Sequence, residues 1–267
     1  MKRLLEIKDQ YVELSKGFID YEKLNNYLIT HHSTAIEGSS LTQSEVILLL
    51  ENGISPAGKP FLHLLMEKDH LDGLKYVLKI AVNKQKLSVG IIQYISLLIM
   101  KNTGSSYNMA GGSFDASKGE FRKGGVHVGA RSFSGYQKIP GLVKDLVNYI
   151  NDHIDQSSEF IANYTLAFDA HFQMVSIHPF AVGNGRLSRL LMNYIQHYHN
   201  HPVTPVLSED KVLYFEALEQ TRQEQNPELF RKFMFDESRK YFEEEIKRME
   251  QQQELKKSKG DGMSFLF

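Results

Sequence analysis

Helical periodicity that stops at a glycine break constrains this chain most. Ile161, Thr165, Phe168, Phe172 and Val175 recur at helical spacing and predict a buried helix across 158–176 that delivers His178 at its end. The run HPFAVGNGRLSR, His178 through Arg189, follows. A second helix then opens, with Leu187, Leu190, Leu191, Tyr194 and Ile195 on one face and Arg186, Arg189 and Asn193 on another. The end of one helix therefore meets a turn of glycines and the start of the next.

The same period runs through most of the sequence. Leu4, Leu5, Tyr11 and Val12 mark a first amphipathic segment, and Leu24, Tyr27 and Leu28 a second that runs into Ser33. Thr42 with Glu45, ahead of Val46 to Leu50, predicts a capping box, and Asn52-Gly53 its stop. Further helices are expected after Pro60, Ser88 and Pro140. A start at Ser208, a break at Asn226-Pro227 and a long final helix through Phe230, Phe233, Tyr241 and Ile246 complete the pattern. That helix ends in the charged tail EEEIKRMEQQQELKKSKGDG, which reads as a solvated, fraying end. The exception is 103–138, rich in Gly and Ser. There Glu120-Phe121-Arg122 and Val126-His127-Val128 flank Lys123-Gly124-Gly125, which predicts a small hairpin with glycine in the turn. The expected class is all-α with a minor hairpin.

Composition sets the outer limits. A chain of 267 residues with 42% hydrophobic content can bury a sizeable core, as one large or two small domains. Its 31 Lys and Arg against 32 Asp and Glu exert no global pull toward nucleic acid or anionic membrane, so any phosphate binding is local. The absence of cysteine excludes disulfides and thiolate nucleophiles. Glu6 and Asp9 interrupt any signal-peptide core, and no run of about 18 apolar residues occurs. The expectation is a soluble, cytoplasmic protein with no nucleic acid and no membrane among its partners.

The chemistry concentrates in the quoted run. A glycine-rich turn that opens a helix presents unpaired N–H groups and the positive end of the helix dipole, a ready site for phosphate or carboxylate. Arg186 and Arg189, three apart, favour a polyphosphate over a single carboxylate, because each guanidinium can take a separate anionic group. His178 lies five residues before Gly183, and an imidazole is the side chain whose ordinary titration near neutrality lets it accept a proton from an attacking hydroxyl. The combination reads as a nucleotide held by its phosphates beside a general base. Taken singly, each feature has a plainer explanation: a turn, a solvated arginine face, a structural histidine.

The run resembles the Fic family signature, His-x-Phe-x-(Asp or Glu)-Gly-Asn-Gly-Arg-x-x-Arg, at His178, Phe180, Gly183, Asn184, Gly185, Arg186 and Arg189. Upstream, Gly119-Glu120-Phe121-Arg122 followed by Val126-His127-Val128-Gly129 is similar to the family's hairpin flap. Ser33-Thr34-Ala35-Ile36-Glu37-Gly38 resembles its inhibitory motif, (Ser or Thr)-x-x-x-Glu-(Gly or Asn). The likeness covers most of residues 30–235. It implies a Fic-type helical fold with a small β-hairpin flap, divided into an N-terminal helical region with the inhibitory motif (1–85), a Fic core (86–202), and C-terminal helices with the charged tail (203–267).

The resemblance also implies an activity: transfer of AMP from ATP to a Ser, Thr or Tyr hydroxyl of a target protein. On that expectation His178 is the base, and Gly183, Asn184, Gly185, Arg186 and Arg189 bind the ATP phosphates. Phe121, Arg122, Val126, His127 and Val128 form the target-docking flap, and Tyr214 and Phe215 line an adenine pocket. Glu37, with Ser33 and Gly38, inhibits by pairing with Arg189. A homo-oligomer is left open.

The chain departs from the signature at Val182, where the family places the acidic ligand of Mg²⁺; valine offers no oxygen. Three readings follow: a weakened adenylyltransferase restrained by Glu37, a nucleotide-binding regulatory module that no longer catalyses, or a relative with altered chemistry such as phosphate or phosphocholine transfer or AMP removal. No metal site is assigned to protein residues. His197, His199 and His201, near a helix end, are expected at the surface, as are His31 and His32.

Overall fold

The computed structural model describes residues 1–128 and 131–259. Gly129 of the expected flap and residues 260–262 of the charged tail lie outside the described residues. Five helices come first: α1 (Lys2–Ser15), α2 (Tyr21–Ile36), α3 (Gln43–Asn52), α4 (Phe61–Val82) and α5 (Val89–Met100). Four short strands follow, β1 (Ser106–Met109), β2 (Gly112–Asp115), β3 (His127–Val128) and β4 (Arg131–Ser132). The chain then returns to helix in α6 (Ile139–His153), α7 (Phe160–Ile177), α8 (Asn184–Tyr198), α9 (Lys211–Glu224) and α10 (Pro227–Lys259). Among the described residues no helix is long and apolar enough to cross a membrane.

Local chemistry sets the helix ends. Thr42 accepts a hydrogen bond from the Glu45 N–H while the Glu45 carboxylate accepts from the Thr42 N–H, the predicted capping box, and Gly53 closes α3 in the left-handed region. Ser88 caps α5 by accepting from the Ile91 N–H at 3.2 Å. Pro140 sits in the first turn of α6, where its missing N–H costs nothing.

The central pair is α7 against α8, and α8 is buried on almost every side. α4 and α5 cover α8 from another direction. Gly73 permits this approach, since a Cβ there would stand 2.7 Å from Ile99 Cγ2 and 3.0 Å from Leu190 Cδ1. α2 packs on α4 and reaches α8, while α10 packs against α1, α7 and α9. One apolar core runs through all of these elements, from Leu4 to Met249.

The helices fall where periodicity places them, but the hairpin does not. Residues 120–126 form no strand, and Gly124-Gly125 is not the turn of one. Instead β1 pairs antiparallel with β2, Tyr107 opposite Phe114, and β3 pairs with β4, His127 opposite Ser132. The reason lies at Arg122. Its side chain is 1% exposed and donates to the carbonyls of Gly124, Ser134 and His178, which draws 120–126 inward as irregular backbone.

Candidate active site

α7 ends as His178 turns into the left-handed region at φ 53° and ψ 59°, its N–H donating to Met174 O at 3.1 Å. For a residue with a Cβ this conformation costs on the order of 1 kcal/mol and needs support from its surroundings. Arg122 supplies it, Nε donating to His178 O at 2.8 Å. The imidazole lies against the Phe133 ring, with centroids 4.1 Å apart and planes 26° from parallel. Phe180, 1% exposed, anchors the following turn in the core beside Phe121, ring to ring at 5.2 Å.

Asn184 then closes the turn. Its Oδ1 accepts from Phe180 N–H at 3.0 Å and its Nδ2 donates to Phe180 O at 2.9 Å. Both polar atoms of the amide are therefore spent on the loop, and Asn184 is buried. The side chain of Asn184 thus shapes the cradle from behind, and what Asn184 can offer an anion is its backbone N–H at the start of α8. Gly183, at φ 81°, holds a left-handed conformation that strains any residue with a Cβ, and a Cβ there would also press on Met100 Sδ at 2.8 Å.

The start of α8 meets a carboxylate. A Cβ on Gly185 would lie 2.3 Å from Glu37 Oε1 and 3.2 Å from Arg189 Nη1, so the end of Glu37 rests on the first turn of α8 where the dipole favours an anion. Glu37 is the C-cap of α2, and its Oε1 accepts from Arg189 Nη2 at 2.7 Å. Arg189 also donates to Ser33, from Nε to Oγ and from Nη2 to the carbonyl oxygen, each at 2.8 Å. Its Nη1 is buried without a hydrogen-bond partner among the described residues. Burial pushes the Glu37 carboxyl up, but the charge and hydrogen bond of Arg189, with smaller help from Arg186 and Lys211, outweigh it and hold the group below the usual carboxylate range. The Glu37 side chain keeps 29% of its surface open, so solvent reaches the pair. Gly38, at φ 102°, turns the chain away.

Arg186, 4% exposed, donates from Nη1 to Ile99 O at 3.0 Å and from Nη2 to Met100 Sδ at 2.9 Å, across the C-terminal turn of α5. Neither arginine belongs to a solvated face.

Two participants escape the sequence reading. Glu67 on α4 is fully buried and accepts from Thr34 Oγ1 at 2.8 Å and from Ser39 Oγ at 2.6 Å, either side of Glu37 in the chain. Burial pushes its carboxyl up to about 7 against those opposing hydrogen bonds. Lys211, at the start of α9, adds positive potential at Glu37. A carboxylate inside HLLMEKDHL and a lysine after a turn both look like solvent-facing charges, and no spacing rule marks them otherwise.

Other expected residues lie elsewhere or differently. Arg122 is internal, so it offers nothing to a docking target; Val126 is half-buried, accepting from Phe133 N–H, and His127 is exposed. Tyr214 is 1% exposed with its hydroxyl 3.1 Å from His171 Nε2, which leaves it no face for a base, whereas Phe215 is 48% exposed. His32 is half-buried and its Nδ1 accepts from Ser208 N–H, and His31 is half-buried beside it, so neither is a surface histidine. His199 and His201 contact the carbonyls of Ile154 and Ser158 through Nε2, which explains why that segment is half-buried too.

Val182 is half-buried and packs on the apolar core. Val182 does not fit the Mg²⁺ that the signature implies, since valine contributes no oxygen, and among the described residues no group of three or more His, Asp or Glu stands ready to hold a metal ion.

These features have relatives. Residues 86–196 match the Fic/DOC family. A protein adenylyltransferase Fic of Aedes aegypti is 28% identical over 195 residues, 71% of this chain and 36% of that protein. The protein adenylyltransferase fic-1 of Caenorhabditis elegans is 26% identical over 196 residues, 72% of this chain and 36% of its own. The chain thus spans about a third of the length of the curated relatives it matches. Among solved structures, a Fic domain containing signaling protein from Bacteroides thetaiotaomicron superposes with a TM-score of 0.77 at 22% identity, covering 92% of this chain and 97% of that one. Fic-1 from C. elegans superposes with a TM-score of 0.72 at 21% identity, covering 95% and 72%. The Fic helical fold, with its small antiparallel hairpins, is therefore the fold of this chain.

Proposed function

We propose that this chain is a protein adenylyltransferase held off by Glu37. The observation that carries the reading is the seat of the Glu37 carboxylate, on the first turn of α8 against Gly185 and bonded to Arg189. The protein's own anion occupies the ground a nucleotide's terminal phosphate would take. The curated relatives bearing the name protein adenylyltransferase lend it support.

Once Glu37 swings away, the free N–H groups at the start of α8 and the fork of Arg189, including the unpartnered Nη1, receive the γ-phosphate. Arg186 lends positive potential from below, buried at the end of α5. The imidazole of His178 takes the proton of a target Ser, Thr or Tyr hydroxyl as its oxygen attacks the α-phosphorus of ATP. The new O–P bond carries AMP to the target, and the bond to the β-phosphate oxygen breaks to release pyrophosphate. Mg²⁺, if ATP brings it, would neutralise phosphate charge, but the residues at Val182 offer it no ligand. β3 and β4 present a short edge on which an extended target segment can add as a strand, so the hairpin demands little of the target's sequence.

Val182 favours a second reading, a nucleotide-binding regulatory module without turnover. One experiment separates the two. The Glu37→Gly protein, incubated with ATP and Mg²⁺, is expected to add an AMP-sized mass to itself or to a lysate protein, and a further His178→Ala change is expected to abolish it. ATP binding by Glu37→Gly with no adduct on any protein would leave the module reading standing.

A further inference from the structure

We propose that Arg122 and Phe133 are positioning residues that together fix the imidazole of His178. The proposal rests on the reading of His178 as the base.

The geometry is unusually specific for an arginine without an acid. Arg122 is 1% exposed, and among the described residues no carboxylate lies within ion-pair distance of it. Its planar fork instead donates to three carbonyls: Gly124 at 2.6 Å, Ser134 at 2.7 Å and His178 at 2.8 Å. Its own N–H donates to Pro179 O at 3.1 Å. Gly124 and Ser134 bracket the β3–β4 hairpin, one before it and one after it. The guanidinium therefore ties both feet of the hairpin to the residue that carries the imidazole. It also places a cation at the C-terminal end of α7, where the helix dipole is negative, and steadies the left-handed turn of His178.

Phe133 is the residue next to Ser134. Its N–H donates to Val126 O at 3.3 Å, and the carbonyl of the next residue, Ser134, accepts from Arg122. The ring so pinned stacks on the imidazole at 4.1 Å. One buried cation thus sets two things at once, the backbone of His178 through its carbonyl and the plane of its ring through Phe133. An anchor for the hairpin alone would need the bonds to Gly124 and Ser134 but neither the bond to His178 nor the stack. Only a planar fork spans all three acceptors, and a lysine ammonium reaches one or two.

The test uses the full chain carrying Glu37→Gly. The ring protons of His178, assigned by their loss in His178→Ala, are expected upfield from the current of the Phe133 ring. Phe133→Leu is expected to move them downfield and to lower kcat about tenfold with KM for ATP unchanged, and Phe133→Tyr, which keeps a ring, is expected to restore both. Arg122→Lys is expected to shift the same resonance while leaving His171, stacked on Phe230 at 5.3 Å, in place. The proposal is overturned if Arg122→Lys leaves the His178 resonance unmoved, if Phe133→Leu raises KM in step with its loss of rate, or if Phe133→Tyr restores neither value. Should Arg122→Lys not fold, the Phe133 pair decides by itself. The resonances need no turnover, so absence of any adduct from the parent would count against adenylyl transfer and leave the positioning question answered separately.

Discussion

Gly185 and Glu37 are in contact so close that no side chain other than hydrogen fits between them: a methyl group on Gly185 would stand 2.3 Å from Glu37 Oε1. Within a helix, Gly→Ala is ordinarily worth up to about 1 kcal/mol in favour of alanine. Here the gain competes with an ion pair. Gly185→Ala is expected to push Glu37 off Arg189 yet leave a methyl group where the phosphate would sit. Calorimetric titration with ATP should therefore show a gain in affinity for Glu37→Gly and none for Gly185→Ala. Equal gains in both would mean that the first turn of α8 is not where the nucleotide binds.

The Glu37–Arg189 pair carries its own pH signature. Its carboxyl is depressed below the ordinary 4.5, so its contribution to stability is fully present above that value and is lost as pH falls through the lower one. The difference in melting temperature between wild type and Glu37→Gln should be constant from neutral pH down to about 5 and shrink below. A difference that grows on acidification would contradict the pairing.

Glu67 behaves in the opposite sense. Burial raises its carboxyl to about 7, so the stability it contributes is complete below the unfolded value of 4.5 and is lost as pH rises through about 7. Glu67→Gln should become the more stable protein, relative to wild type, between pH 5 and 8, by about 3 kcal/mol at most. Thermal melts across that range measure it, and a flat difference would mean that Glu67 is ionised throughout.

Asn184→Ala removes the clasp on Phe180 and should cost about 1–3 kcal/mol by leaving two buried backbone groups unpaired. Hydrogen exchange at the Phe180 amide reports it directly. Protection unchanged from wild type would show that the amide is held by something else.

Val182→Asp, placed two residues before α8, sets a carboxylate where the helix dipole welcomes it. In the Glu37→Gly background it should raise the rate of AMP transfer about tenfold or more, read by adduct mass against time. No change would mean that a metal ligand at this position does not limit the reaction.

Much of this molecule is legible in its sequence because helices advertise themselves by period. α7, α8 and the Thr42 capping box lie where Phe168, Leu190 and Glu45 put them. The contact of Glu37 with Arg189, 152 residues apart, carries no periodic signal and was accessible only through the likeness of two motifs. The hairpins failed for a physical reason. Strands of two to four residues are too short for alternation to set them apart from loop, and the glycines of Lys123-Gly124-Gly125 serve an inward path around Arg122 instead of a turn. Arg122 itself, an arginine in a Gly-rich stretch, gives a sequence reader every reason to place it at the surface. Glu67 and Asn184 mislead in the same way, since burial of a polar side chain depends on partners that only the fold brings near.

Arg189 grips α2 and its C-cap through Ser33 and Glu37. Grip on one helix makes the coupling mutual. Any anion that claims this guanidinium loosens α2 by as much free energy as α2, held in place, subtracts from the anion's own affinity. A partner protein or a crosslink that stiffens α2 is therefore an antagonist of the nucleotide without touching its site, and saturating nucleotide is the reagent that would reveal such a partner by dislodging it.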